Sequence, residues 1–126
     1  MKRRFALAAA LAAAAALALV LLATTATAAS HPKLIGVVGK NNAFKITLSF
    51  NGKVVKKLKA GTYTVVVNDD SNLHNYELDG PHGKSWTFTQ VPFVGTKTFT
   101  LKLVAGKYKA YCSPHESTMF QHFTVA

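Results

Sequence analysis

The chain has 126 residues, with fifteen lysines and arginines, five acidic residues, five histidines and one cysteine. This length fits one domain and excludes a large multidomain enzyme. A lone cysteine excludes an intramolecular disulfide framework and a cysteine-rich zinc module, and a hydrophobic content of 49% excludes a disordered basic tail.

The N-terminal residues have the layout of a secretory signal peptide. A Lys-Arg-Arg cluster at residues 2–4 precedes nineteen uncharged residues, 5–23, and Ala-Thr-Ala at 26–28 is a small-residue cleavage site. We therefore predict a signal peptide over residues 1–29 and an extracytoplasmic location: periplasmic, secreted or at the cell surface. An uncleaved membrane anchor is the alternative, because the apolar run is just long enough to cross a bilayer.

The predicted mature domain, residues 30–126, is basic and contains no arginine. Three of the fifteen basic residues lie in the leader, so twelve lysines stand against five acidic residues and the net charge is +7. Arginine is the preferred side chain for bidentate contacts with phosphate and guanine, so we do not expect nucleic-acid binding. The simplest interpretation of the lysines is a solvated surface, and the next is electrostatic steering toward an acidic partner.

The domain has the patterns of β-strands along its whole length. Residues 46–50, 62–67, 85–89 and 98–103 alternate apolar and polar side chains or are rich in β-branched and aromatic residues. Asn51-Gly52, between two such runs, is a strong signal for a two-residue hairpin. We count about seven to eight short strands and no convincing helix, which predicts an all-β sandwich or barrel.

Four residues with metal-binding side chains fall on inward faces or in a tight turn. His74, Cys112 and Met119 are in phase with apolar residues of their predicted strands, and His115 lies in the turn between Cys112 and Met119. One thiolate, two imidazoles and a weak axial thioether are the ligands of a type 1 copper site for electron transfer. Zinc prefers four strong ligands, while calcium and magnesium prefer oxygen, so the donor types favour copper.

The same residues are also compatible with interpretations other than copper binding. A buried Cys112 is compatible with an inert core residue, and Cys112 with His115 is compatible with a nucleophilic dyad, although no orienting partner is evident. His82 lies in a Gly-Pro-His-Gly turn and His122 is out of phase with the inward residues, so both are expected at the surface. His31 lies near the cleavage site and is not expected to bind metal.

The pattern of these motifs resembles the cupredoxins. YCSPHESTMFQHFTV (111–125) resembles the copper loop and last strand of that family, especially of its plastocyanin-like bacterial members. VNDDSNLHNYEL (67–78) resembles the strand that carries the family's first histidine, where His is followed by Asn. The resemblance covers residues 33–126 and implies a Greek-key β-sandwich that holds one copper ion, so we predict a cupredoxin-like domain over residues 30–126.

The resemblance also assigns roles to single residues. It implies that His74 and His115 are the imidazole ligands. Cys112 would supply the thiolate and Met119 the axial thioether. It implies that Asn75 ties the two ligand-bearing segments together and that Pro114 stiffens the loop and removes an N–H donor near the sulfur. One departure is the loop length: three residues separate His115 from Met119, where plastocyanin-like members usually have four and amicyanin-like members two.

The function that the resemblance implies is a secreted one-electron carrier that cycles between Cu(II) and Cu(I), and not an enzyme. The alternatives are an extracytoplasmic copper-trafficking or copper-buffering protein with the same fold, and a metal-free β-sandwich for adhesion. A carrier would act as a monomer with a redox partner protein that has an acidic docking face. It would meet a membrane only through the N-terminal segment, if that segment is uncleaved.

Overall fold

The computed structural model of the chain describes residues 25–126. Most of the predicted signal peptide therefore lies outside the described residues, and its last part, 25–29, is exposed and has no regular secondary structure. Within the described part, no helix is long and apolar enough to cross a membrane. Every strand and buried apolar core side chain found there lies between residues 33 and 126.

Two five-stranded sheets form a sandwich, as the sequence predicted. The first sheet has the order β3-β2-β1-β5-β8, with strands β1 (Lys33–Val38), β2 (Ile46–Phe50), β3 (Lys53–Val54), β5 (Gly61–Asp69) and β8 (Gly95–Leu103). The second has the order β4-β10-β9-β6-β7, with strands β4 (Lys57–Leu58), β6 (Glu77–Asp79), β7 (Ser85–Thr87), β9 (Gly106–Tyr111) and β10 (Phe120–Val125). Eight of the strands have three or more residues, in agreement with the predicted seven to eight. The other two, β3 and β4, have only two residues each.

Strand directions are mixed within both sheets. β1 runs parallel to β5, and β10 runs parallel to β4, whereas the other neighbouring strands are antiparallel. Short 3-10 turns interrupt the connections at Lys40–Asn42, Pro81–Gly83 and Ser113–His115.

The core lies between the sheets because alternate residues of each strand point inward. β5 buries Tyr63, Val65 and Val67, and β10 buries Phe123 and Val125, while the residues between them are partly or fully exposed. Burying a valine or phenylalanine side chain stabilises the fold by about 1.5–3 kcal/mol. The period-two pattern of the sequence therefore supplies most of the information that orients these strands.

The predicted hairpin at Asn51-Gly52 is confirmed. Both residues have left-handed backbones, with φ of 49° and 76°, as a two-residue type I′ turn requires. The turn joins β2 to β3 and places Phe50 opposite Lys53.

A buried glutamine joins the two sheets. Gln121 of β10 accepts a hydrogen bond from the N–H of Leu48 at 2.7 Å and donates to the carbonyls of Leu48 and Val55 at 3.1 and 2.9 Å. Because its oxygen and nitrogen are both paired, its burial avoids the penalty of about 1–3 kcal/mol for an unsatisfied polar group. These bonds hold the start of β10, next to Met119, against β2.

Tyr76 fixes the segment that leads into β6. Its ring packs on Gly36, where a Cβ atom would lie 2.8 Å from the ring Cζ, and its hydroxyl donates to the Thr47 carbonyl at 3.0 Å. The N–H of Tyr76 donates to Thr89 Oγ1 at 2.9 Å. These contacts anchor the chain two residues after His74.

The sandwich has two ends with different loops. At one end β1 and β5 finish and β10 begins, and this end carries the loops 39–45, 70–76 and 112–119. We call it the ligand end. The opposite end, which we call the far end, has the turns 51–52 and 104–105 and the starts of β1 and β5.

The alternation of residues 74–79 predicts a strand over this whole run, but the strand is shorter. β6 begins only at Glu77, and the preceding residues belong to the loop. The same alternation predicts an outward-facing Asn75, in phase with Glu77, but Asn75 is only 5% exposed. The prediction was wrong because the Asn75 side chain hydrogen-bonds to Ser113 instead of facing solvent.

The strand predicted from the run 85–89 is also too long. β7 ends at Thr87, and both Phe88 and Thr89 are buried. The N–H of Phe88 donates to the carbonyl of Tyr76 at 2.9 Å, and the Thr89 hydroxyl accepts the N–H of Tyr76. The alternation ends here because the chain turns inward to pair with the segment before β6.

Candidate metal centre

Three of the four predicted ligands have their donor atoms close together at the ligand end. The Nδ1 atoms of His74 and His115 are 3.1 Å apart, and Cys112 Sγ lies 3.8 Å from His74 Nδ1 and 3.6 Å from His115 Nδ1. All three donor atoms lie within 4.8 Å of one another. One ion can contact all three, because a metal such as zinc makes bonds of about 2.0–2.1 Å to imidazole nitrogen and about 2.3 Å to thiolate sulfur.

Met119, the fourth predicted ligand, is held by the backbone of the loop that carries Cys112 and His115. The N–H of Met119 donates to the carbonyl of His115 at 2.8 Å, and the N–H of Cys112 donates to the carbonyl of Met119 at 3.1 Å. Pro114 lies in the turn at Ser113–His115, where its ring fixes φ and it has no N–H to donate. The loop is thus closed on itself, and the Met119 side chain is buried.

Asn75 joins the two segments that carry the donor atoms. Its side-chain oxygen accepts a hydrogen bond from the N–H of Ser113 at 2.7 Å, and its side-chain nitrogen donates to Ser113 Oγ at 2.9 Å. Its backbone N–H points at Cys112 Sγ at 3.4 Å. One residue therefore fixes the loop of His74 relative to Cys112 and directs a hydrogen-bond donor at the sulfur, which favours the thiolate.

The loop after β1 packs against both imidazole rings. Gly39 has φ 69°, and a Cβ atom there would lie 2.9 Å from His74 Cδ2 and 2.5 Å from Ser71 Cβ. Phe44 lies edge-on to both rings, with ring centroids 4.9 Å from His74 and 4.7 Å from His115. Because Phe44 is 61% exposed, it shields the imidazoles on one side and presents its other side to solvent.

The thiol of Cys112 is buried and protonated when it has no metal partner. Burial raises its pKa, and the N–H groups of Asn75 and His115 oppose this rise only in part. A catalytic thiol needs exposure and a lowered pKa, so the nucleophilic-dyad interpretation is disfavoured. Binding of a soft metal ion would displace the proton and form the thiolate.

The His74 imidazole is held in the neutral form that binds metals. Burial lowers its pKa and the neighbouring His115 lowers it further, while Asp69 and the backbone of Asn42 act in the opposite direction. The Nε2 atom is buried, and no hydrogen bond to it meets the usual distance and angle limits even though Asn42 is close. A neutral imidazole keeps one nitrogen lone pair free for a metal ion.

A buried carboxyl group lies behind this region. Asp69, the last residue of β5, is fully buried, and its Oδ1 accepts the N–H of Ser71 at 3.2 Å. Burial raises the pKa of Asp69, while hydrogen bonds from Thr89 and from the N–H of Ser71 lower it. The sequence contained a signal for this position, because Asp69 is in phase with the inward-facing Val65 and Val67.

The donor set fits copper better than other biological metals. The cluster contains two imidazoles and one thiol, and the thioether-bearing Met119 lies on the same loop. These are the soft and borderline donors that copper takes in type 1 sites. The cluster of described residues offers zinc no fourth strong ligand and offers calcium or magnesium no oxygen ligand.

The other histidines of the domain lie away from this cluster. His122 is exposed on the outer face of β10, His82 is exposed in its turn, and His31 is exposed before β1. Phe44 and Ser113 were not foreseen as neighbours of the centre. A phenylalanine between polar residues in the run KNNAFK was the available signal for Phe44, whereas nothing in the sequence marks Ser113 as the partner of Asn75.

No protein-family model and no curated protein matches the sequence. Solved structures do match the fold. A structure of the copper protein rusticyanin has a TM-score of 0.55 at 17% identity, with 75% of this chain and 76% of that chain covered. A rusticyanin variant gives 0.54 at 19% identity with the same coverage, and reduced rusticyanin gives 0.53 at 18% identity, covering 75% and 78% of the two chains.

At this level of identity the similarity to these structures shows the fold alone. The positions of the donor atoms are observed in the structure of this chain. Two sheets of five strands, with the three donor atoms gathered at one end, agree with the resemblance seen in the sequence. The domain therefore has the cupredoxin fold, with His74, Cys112, His115 and Met119 positioned as the ligands of a type 1 copper site.

Proposed function

We propose that this chain is an extracytoplasmic copper protein that carries single electrons between partner proteins. The observation that carries the proposal is the convergence of His74 Nδ1, His115 Nδ1 and Cys112 Sγ within 4.8 Å, with Met119 closing the same loop. His74, Cys112, His115 and Met119 are the ligands in this proposal. Copper, when bound there, supplies a one-electron couple between Cu(II) and Cu(I).

The loops around the centre favour a carrier over a copper-delivery protein. A carrier benefits from ligands that move little between redox states, whereas delivery requires ligands that release the ion. Asn75 fixes the His74 segment to Ser113 through two hydrogen bonds of 2.7 and 2.9 Å. The loop from Cys112 to Met119 is closed by its own backbone, so the donor positions are set before any ion binds.

The surface beside the imidazoles offers a place for electron exchange. His115 is only partly buried, and Phe44 and Leu73 expose apolar surface next to the ligand loops. Weak redox encounters use small interfaces, so a patch of this kind is sufficient for a short-lived contact. Lys40 and Lys45 lie in the same loop as Phe44, and their charges would meet an acidic docking face on the partner.

The proposed location follows from the N-terminal sequence and the lone thiol. Residues 1–29 are proposed to direct export, and the mature protein is proposed to act as a monomer. A free buried thiol in an oxidising compartment is protected when a metal ion occupies it. Cys112 is the only cysteine of the chain, so it has no disulfide partner within the molecule.

Copper titration of the domain, residues 30–126, tests the proposal. We expect one equivalent of Cu(II) to bind and to produce an intense blue or green colour from thiolate-to-copper charge transfer, with a reversible reduction potential in voltammetry. His122→Ala removes an exposed histidine outside the cluster and serves as the matched control, so its colour and stoichiometry should match the parent.

Two results would contradict the electron-carrier function. Colourless binding of copper would instead support trafficking or buffering. Failure to bind copper at all would leave a metal-free β-sandwich with a role in adhesion or interaction.

A further inference from the structure

The charges of the domain are distributed unevenly between its two ends. All five acidic residues lie at the end of β5, in β6 or in the ligand loop: Asp69, Asp70, Glu77, Asp79 and Glu116. Residues 25–68 and 80–115 contain no acidic side chain. The one ion pair among the described residues, Lys109 with Glu116 at 2.7 Å, also belongs to the ligand-end half.

Eight of the twelve lysines lie in the far-end half, and all eight are exposed. Lys33 begins β1, and Lys53 follows the hairpin turn of β2 and β3. The strand register places Lys102 beside Thr62 at the start of β5 and Lys57 beside Thr124 at the end of β10. The remaining four lie in the adjoining turns and the start of β9: Lys56, Lys59, Lys84 and Lys107.

Four of these lysines are close neighbours on the surface. Lys53, Lys56 and Lys57 line one shallow groove together with Val54, which is 48% exposed. Lys56 also lines a second groove with Lys107. An exposed valine among flexible lysine side chains gives this surface a mixed apolar and basic character, which is typical of protein surfaces that meet the bilayer interface.

The chain enters the folded domain at the same end. The carbonyl of Pro32 accepts the N–H of Thr64 near the start of β5, so the residues before β1 leave the domain beside the lysines. The uncharged run at residues 5–23 is separated from Lys33 by nine residues, which can span at most about 30 Å. If the leader is retained, the basic end is therefore the part of the domain within reach of the bilayer.

We propose that the far end is a docking surface for an anionic lipid bilayer, which leaves the ligand end pointing away from the membrane. Lysine suits this role because it contributes through net charge, which a fluid layer of headgroups meets without fixed geometry. Nucleic acid fits less well, because residues 30–126 contain no arginine for bidentate phosphate contacts. The proposal does not depend on copper, because no residue of the centre belongs to the far end.

Binding of the metal-free domain, residues 30–126, to lipid vesicles tests the proposal. We expect cosedimentation with vesicles of phosphatidylcholine and phosphatidylglycerol, none with pure phosphatidylcholine, and release as salt is added because added ions screen exposed charges. Replacing Lys53, Lys56 and Lys57 with glutamine should weaken the partition coefficient by about 100-fold, since each lysine at an anionic surface contributes roughly a factor of five.

The matched control removes the same charge from the other end. Replacing Lys40, Lys45 and Lys97 with glutamine should weaken vesicle binding by less than about fivefold, because these side chains lie in the ligand-end half. Equal losses from the two triple variants would overturn the proposal, since net charge alone would then control binding. Binding to soluble polyglutamate but not to vesicles would also overturn it, in favour of an acidic protein partner.

Discussion

The two ends of the sandwich are built on different principles. At the ligand end, side chains from three loops are joined by specific contacts, such as those of Asn75 with Ser113 and of Phe44 with both imidazoles. At the far end the lysines are exposed, and none of them forms an ion pair within the described residues. One end depends on the positions of individual atoms, and the other depends on the number and sign of its charges. Single substitutions should therefore have large effects at the first end and small ones at the second.

The largest expected effect is the loss of the thiolate. Cys112→Ser should abolish the charge-transfer colour completely, because a hydroxyl group cannot replace the sulfur in that transition. Visible absorption after addition of Cu(II) measures the change, and thermal melting should show that the variant still folds. His82→Ala, which alters an exposed histidine in a distant turn, should keep the colour. A coloured Cys112→Ser variant would mean that the ligand assignment is wrong.

A methyl group at Gly39 should destabilise the ligand end strongly. Gly39→Ala combines a left-handed backbone with a Cβ atom 2.5 Å from Ser71 Cβ and 2.9 Å from His74 Cδ2, so we expect a loss of about 3 kcal/mol in unfolding free energy. Urea denaturation measures it.

Gly52→Ala is the matched control for that substitution at the other end. Gly52 has φ 76° but nothing within 4 Å of an added Cβ, so the expected loss is only about 1 kcal/mol. Equal losses for the two variants would show that backbone strain, and not contact with His74 and Ser71, accounts for the effect at Gly39.

Removal of the Asn75 side chain should have an intermediate effect. Asn75→Ala breaks both hydrogen bonds to Ser113, and at about 0.5–1.5 kcal/mol for each bond we expect a loss of about 1–3 kcal/mol. Denaturant unfolding of the metal-free domain measures it, and Asn72→Ala, at an exposed position of the same loop, is the control. A loss no greater than that of the control would show that the link between the two segments adds no stability.

A change of the axial side chain should affect the copper and hardly affect the fold. Met119→Leu conserves volume, so we expect a loss of less than about 1.5 kcal/mol in stability. The variant should keep copper and shift the reduction potential upward, because the axial ligand tunes the potential of type 1 sites. Voltammetry measures the shift, and Leu103→Met, buried at the far end, should leave the potential unchanged. Complete loss of copper from Met119→Leu would contradict the axial role.

The smallest effect on stability is expected at the far end. Replacing Lys53, Lys56 and Lys57 with glutamine should change the unfolding free energy by less than about 0.5 kcal/mol, because the side chains are exposed and pair with no acidic residue. Thermal melting checks this. A large loss would mean that the basic surface has a structural role in the fold.

Local pattern predicted the β-sandwich, and it singled out the three residues whose donor atoms converge. Period-two alternation orients Val65 and Val67 without any knowledge of the neighbouring strands, and the short spacing from Cys112 to His115 predicts that one turn presents both. The phase of Met119 with Phe123 and Val125 likewise predicts an inward side chain, and the resemblance of residues 111–125 to a known copper loop implies its axial role. In each case the residues that carry the signal are close together in the sequence.

Contacts between distant segments could not be predicted in the same way. Asn75 and Ser113 are 38 residues apart, and only the folded sheets bring them together. The burial of Asn75 and the packing of Phe44 on two imidazoles follow from three loops that meet in space. The concentration of lysines at one end likewise depends on strand direction, which a net charge of +7 does not reveal.

The hydrogen bonds of Gln121 have a consequence for how the protein unfolds. Its bonds to Leu48 and Val55 link the sheets, and Met119 lies only two residues away. The sheets cannot separate without pulling on the loop that holds the donor atoms, so we expect bleaching of the copper colour and global melting to share a single midpoint. The copper absorption would then report the fraction of molecules in which the whole sandwich is still folded.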